Sequence, residues 1–173
     1  FTRHSVREQV SGQGLAGYEL QLTSEGRDLA QAWGEYLIDQ TGRRIEHCIS
    51  SPIQRCIDTA ALMIQGADAV QPENTHKIDI VEQSLLVEPG SFVLDIQQAG
   101  PYFKEHGGLG FIKRFVNNAL AGMKHPIRGV VDVLELIYNT HPTQQGALSL
   151  AVSHDTIIAA LIAVMSRRQQ IDK

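Results

Sequence analysis

Three well-separated patches of this 173-residue chain carry side chains able to hold and attack an anion: Arg3-His4 with Arg7, then Arg55, then His154-Asp155. The planar fork of an arginine matches two phosphate oxygens at once. A neutral imidazole keeps a nitrogen lone pair at physiological pH, so it can serve as nucleophile, base or ligand. In Phe1-Thr2-Arg3-His4-Ser5-Val6-Arg7-Glu8 a β-tolerant lead-in stops at the Arg-His pair, so two guanidiniums flank an imidazole where a strand gives way to a loop. Alone, the octapeptide reads equally well as a strand-edge histidine between solvated arginines. The downstream patches shift that balance.

Arg55 falls in the first turn of the helix expected after Ser51-Pro52. Backbone N–H groups and the helix dipole favour an anion there, and a cation is mildly unfavourable. An arginine at that place becomes intelligible if the anion is a ligand; the alternative is a solvent-facing side chain. Two carboxylates are placed to give a proton to a leaving alkoxide. Glu88 stands before the Pro89-Gly90 turn, and Asp155 directly follows His154, where it can also cap the last helix.

These residues need elements to position them. Thr23 or Ser24 supplies an N-cap oxygen for a helix running to about Gln40, with Leu29, Ala32, Trp33, Tyr36 and Leu37 at helical spacing and Thr41-Gly42 as its stop. Arg44 to Ser50 alternates as a strand, Ile53 to Gln65 follows as a helix, and Lys77 to Val81 is the next strand. Leu85 to Gly90 reads as a strand end entering a turn, and Ser91 to Gly110, with Pro101 and three glycines, as loop with short helical pieces. Phe111–Leu120 and Val130–Tyr138 are helical by period. Leu148 to Ser153 is a buried-strand pattern, followed by a largely buried helix over Ile157–Met165. Such alternation predicts a three-layer α/β/α sandwich around a mainly parallel sheet, with its ligand crevice at the carboxyl ends of the strands. Arg3, His4, Arg7, Arg55, Glu88, His154 and Asp155 all map to that edge.

At 173 residues the chain is expected to form one domain, 1–173, whose first strand starts upstream of Phe1. A net charge of −4 argues against a general binder of nucleic acid or membrane surfaces, so an anion site must come from local arginines. No apolar run reaches the length of a membrane span and no signal peptide is visible, which suggests a cytoplasmic protein. Cys48 and Cys56 lack zinc-site spacing and read as buried thiols, with a disulfide between them left open. Ser11 to Gly17 reads as a surface loop; His125 and His141 read as surface residues.

Arg3-His4-Ser5, Leu22-Thr23-Ser24-Glu25-Gly26, Ser50-Ser51-Pro52 through Arg55 to Thr59-Ala60, and Val152-Ser153-His154-Asp155 together resemble the histidine phosphatase superfamily, of phosphoglycerate-mutase-like fold. The resemblance implies that His4 is phosphorylated in turnover, that Arg3, Arg55 and His154 hold the phosphoryl oxygens, and that neither metal nor other cofactor is needed. Ser5 stands where the superfamily usually has glycine. Arg7 and the His154-Asp155 pair look like the acid-phosphatase branch, with Arg7 a further phosphate contact; Leu86-Val87-Glu88 and the short chain look like the mutase branch. The two branches place the proton donor differently, and Asp155 is slightly preferred here to Glu88. The expected activity is metal-independent hydrolysis of a phosphorylated small molecule or phosphoprotein. A mutase-type phosphotransferase, a non-catalytic phosphate-binding module and a metallohydrolase using His4, His154 and Asp155 are the alternatives.

Overall fold

Among the described residues four parallel strands form the central sheet, in the order β1-β4-β2-β3: β1 is Thr2–Arg3, β2 Arg44–Ser50, β3 Ile80–Glu82 and β4 Ala147–Ser153. The structure is a computed structural model and describes residues 1–9, 17–71, 77–88, 90–117 and 120–167. Most of the expected Ser11–Gly17 loop and the Pro89 turn residue therefore lie outside the described residues. Parallel pairing requires a crossover between successive strands. Here helices cover both faces: α1 (Ser24–Thr41) and α2 (Gln54–Val70) on one, α3 (Ile96–Val116), α4 (Pro126–Asn139) and α5 (Asp155–Met165) on the other. The expected α/β layer architecture is the one observed.

Strand periodicity divides the core. Cys48, Leu150 and Val152 pack with Ala30, Ile38, Cys56, Ala60 and Met63 of the first helix pair. The alternate residues Ile49 and Ala151 join Leu86 on the opposite face. Beyond them, Phe92, Phe115, Val133 and Ile157 hold the second helix layer together. Both cysteines are buried free thiols.

Several elements depart from the sequence expectation, each for a local reason. Thr23 is the N-cap of α1, its hydroxyl accepting the Gly26 N–H at 3.0 Å, and Gly42 closes the helix in the left-handed conformation at φ 61°. The face of α1 that is buried is nonetheless Gly26, Ala30, Gly34 and Ile38, while Leu29, Trp33 and Tyr36 are exposed. The cause is close approach: a Cβ on Gly34 would overlap the carbonyl oxygen of Met63 in α2, and one on Gly66 that of Gln31. Large side chains cannot enter so narrow a seam. Trp33 and Leu29 instead line a groove with Phe1, Leu148 and Leu150, beside the stretch of β4 that β1 does not reach.

Leu86 ends a short 3-10 turn, Ser84–Leu86, rather than a strand. The expected loop after Ser91 is largely helix. Asp95 caps α3 by accepting the Gln97 N–H, and Ala99 and Phe103 bury its face, which outweighs Pro101 near its start. Gly107, at φ 65°, breaks it into two pieces. Helix α4 starts earlier than expected, at Pro126, whose missing N–H costs nothing in the first turn. Helix α5 buries Ile157, Ala160, Leu161 and Ala163 but leaves Ile162 and Met165 exposed, so it is covered on one side only. Among the described residues no helix is long and apolar enough to cross a membrane.

Candidate active site

The carboxyl ends of β1 and β4 bring His4 and His154 together from opposite ends of the chain. The two strands pair Arg3 with Ser153, and the His4 N–H donates to the Ser153 carbonyl at 2.9 Å, so each histidine leaves the sheet at the same level. Their rings meet edge to face, with centroids 5.5 Å apart and planes inclined by 72°.

His4 is 4% exposed. Its Nδ1 lies 2.8 Å from the Ser5 carbonyl, which can only accept, so Nδ1 carries the proton and Nε2 keeps the lone pair. Burial, assisted by the positive fields of Arg55 and Arg3, pushes the pKa of His4 down to about 4. The ring is therefore neutral at pH 7, as a nucleophile requires. The next peptide is anchored too: Ser5 N–H donates to Thr59 Oγ1 at 3.0 Å, and that hydroxyl donates to the Arg55 carbonyl at 2.7 Å. Thr59 thus ties the His4 loop to α2.

His154 is fully buried at the N-terminus of α5. Burial first, then Arg55 and His4, pushes its pKa down to about 3. Its Nε2 is 3.0 Å from Ser51 Oγ, while its Nδ1 is buried with no hydrogen-bond partner among the described residues and lies 3.9 Å from Glu88 Oε2. Arg55 is 1% exposed. One Nη1–H donates to the Gly17 carbonyl at 3.0 Å, and its Nε has no partner among the described residues. A buried guanidinium with an unused N–H beside two histidines is a strong electrostatic trap for an oxyanion.

The remaining candidates divide. Glu88 turns inward, its side chain 12% exposed, and burial, reinforced by the charge of Asp155, raises its pKa. Asp155 turns outward at 64% exposure, accepts the Thr156 N–H at 2.9 Å and lies 3.9 Å from Arg3 Nη1. Arg3 is itself 53% exposed and donates through Nε to the His4 carbonyl at 3.2 Å. Arg7 donates to the Glu8 carbonyl at 2.8 Å, yet its field is felt at Arg55, Glu88 and His154. His125 and His141 stay at the surface. Among the described residues no three His, Cys, Asp or Glu side chains converge to hold a metal ion. Ser51 and Thr59 had no role from sequence; the only sign of them was their place in the Ser51-to-Ala60 motif.

A parallel α/β sheet carrying a paired-histidine, buried-arginine pocket at its carboxyl edge defines the class, and comparison with known proteins supplies the family. The model of the histidine phosphatase superfamily (branch 1) matches residues 1–171, and the chain belongs to that superfamily. Solved structures share the fold. Mycobacterial glucosyl-3-phosphoglycerate phosphatase superposes with a TM-score of 0.58 at 20% identity, covering 95% of this chain and 77% of its own. A second, mycobacterial hydrolase 1, gives 0.60 at 18% identity, covering 95% and 78%. A phosphoserine phosphatase mutant from Entamoeba histolytica, in complex with phosphoserine, gives 0.57 at 17% identity, covering 98% and 82%. No curated protein matches the sequence.

Proposed function

We propose that this protein is a metal-independent phosphomonoester hydrolase that works through a phosphohistidine at His4. The observation that carries the proposal is the tethered His4 ring, with Nδ1–H held by the Ser5 carbonyl and Nε2 free, facing His154 beside buried Arg55. In the first step the Nε2 lone pair forms an N–P bond as the ester P–O bond breaks. Arg55, the Nδ1 side of His154 and the outer arginines Arg3 and Arg7 neutralise the equatorial oxygens, which is most of what phosphoryl transfer asks of a protein. Glu88, whose pKa burial raises, gives its proton to the departing alkoxide. In the second step Glu88 as carboxylate takes a proton from water. The hydroxide adds to phosphorus, and the N–P electron pair returns to Nε2.

Glu88 is preferred to Asp155 as the acid because it is the carboxyl inside the pocket, whereas Asp155 turns outward, accepts the Thr156 N–H and faces Arg3. The names of the related structures, phosphoserine and glucosyl-3-phosphoglycerate phosphatases, support a phosphorylated small molecule as substrate. Rapid quenching during p-nitrophenyl phosphate turnover in the presence of chelator tests this. An acid-labile phosphoryl group on the peptide containing His4 is expected, lost together with activity in His4→Ala. Turnover that survives in His4→Ala would overturn the proposal, and transfer to an added alcohol in preference to water would mark a mutase-type phosphotransferase.

A further inference from the structure

Ser51 sits at the end of β2 with no exposed surface, its Oγ 3.0 Å from His154 Nε2. The hydrogen bonds around this hydroxyl favour one arrangement. The Ile53 N–H donates to Ser51 Oγ at 3.4 Å, occupying one of its lone pairs. Cys56, the other polar neighbour of Nε2 at 3.7 Å, donates its thiol proton to the Ser153 carbonyl at 3.6 Å. If His154 carried its proton on Nε2, the buried serine hydroxyl would have an accepted bond from each side and could give its own hydrogen only to the Cys56 sulfur, a weak acceptor. If the proton is on Nδ1, the serine donates to the Nε2 lone pair, the Ile53 N–H and the thiol keep their partners, and the one group left over is the Nδ1–H on the Glu88 side of the ring. A hydroxyl donates more strongly to an imidazole lone pair than to a thiol sulfur, so the second arrangement wins.

We propose that Ser51 is a positioning residue that fixes His154 in its Nδ1–H tautomer, turning a neutral imidazole into a hydrogen-bond donor aimed at the bound phosphoryl group. The geometry of the other nitrogen agrees: His154 Nδ1 is buried, unpartnered, and on the Glu88 side of the ring. Burial keeps this ring uncharged at pH 7, so its donor capacity depends on where its single proton sits. In the opposite tautomer a nitrogen lone pair would face the phosphoryl oxygens and repel them. The proposal rests on the anion-binding site described above, but it makes a statement about a proton that can be read without turnover.

The test is long-range proton–nitrogen correlation NMR on histidine-labelled protein, with the His154 signals assigned by their loss in His154→Gln. Wild type is expected to show Nδ1 protonated and Nε2 bare, and inorganic phosphate is expected to shift the Nδ1–H resonance. Ser51→Ala should give the Nε2–H tautomer or a mixture, and lower kcat about 10–100-fold with a smaller change in KM, the range typical of partners that orient a reactive histidine. Cys56→Ala should leave the tautomer unchanged. A wild-type ring protonated on Nε2 would overturn the proposal, as would an unchanged tautomer in Ser51→Ala or a change in Cys56→Ala alone. A protein inert toward phosphate esters but showing the expected tautomer would refute the hydrolase proposal and leave the Ser51 assignment standing.

Discussion

Two carboxylates compete for one task, and their surroundings separate them. Sequence placed Asp155 beside His154 and Glu88 at a turn and leaned slightly to Asp155, on branch resemblance and not on which carboxyl points inward. That distinction depends on side-chain direction at two helix and turn termini, which spacing does not encode. With Glu88 as the acid, Glu88→Gln should slow hydrolysis of alkyl phosphates about 10²–10⁴-fold and p-nitrophenyl phosphate far less, because nitrophenolate leaves without a proton. Asp155→Asn should show no such contrast; if it shows the contrast and Glu88→Gln does not, the assignment reverses. The pH dependence of kcat/KM on an alkyl phosphate follows from the same groups. Activity should fall on the acid side as His4 is protonated near its pKa of about 4, and on the alkaline side as Glu88 loses its proton above the ordinary carboxylate range. The alkaline fall should disappear in Glu88→Gln. The pairing of His4 with His154 was legible, since both end strand patterns at a sheet's carboxyl edge; Ser51 and Thr59 were not, because short hydroxyls acquire roles only from what folds against them.

Among the elements, the strands and α1, α2 and α5 were readable from period and caps, whereas α3 was hidden by its own composition. Pro101 and Gly107 signal a loop locally, but Phe103, Phe111 and Phe115 reward helix with burial that only the packed core supplies. The seam between α1 and α2 was misleading for the opposite reason. Its large apolar residues advertise a core face, yet the packed face is the small one, and the helices meet at Gly34 and Gly66. In an isolated helix alanine is favoured over glycine by about 1 kcal/mol. Gly34→Ala should nevertheless destabilise the protein, since overpacking typically costs about 1–3 kcal/mol and here the obstacle is the Met63 backbone. Urea midpoints decide the sign: a Gly34→Ala protein as stable as wild type would mean the seam can open freely. Activity should fall as well, because Arg55 is carried by the helix that must move.

At the scale of the whole molecule, the site is bound up with stability. His4 and His154 have folded pKa values of about 4 and 3, below the ordinary 6.5, so the unfolded chain binds more protons between pH 6.5 and that range. Their contribution to stability is full above pH 6.5 and is lost progressively as pH falls toward 4. Denaturation midpoints should decline over that window in wild type and decline less in His154→Gln. Phosphate should act in the opposite sense. At about 100 times its Kd it adds about 2.7 kcal/mol, which in a chain of this size raises Tm by about 5–10 °C. His4→Ala should retain most of that shift, Arg55→Ala little of it; equal shifts in both would place the anion elsewhere. The glycine seam also has a bearing on how such a protein can change over generations. Where two backbones touch, there is no side chain to vary, so the positions least open to substitution should include some that contribute no chemistry at all. A saturation library scored for activity should therefore show rejection at residues 34 and 66 as deep as that at His4, while the bulky residues at 29, 33 and 36 accept replacement freely. Lineages descending from such a chain would be able to redesign its outer face long before they could alter the spacing on which Arg55 depends.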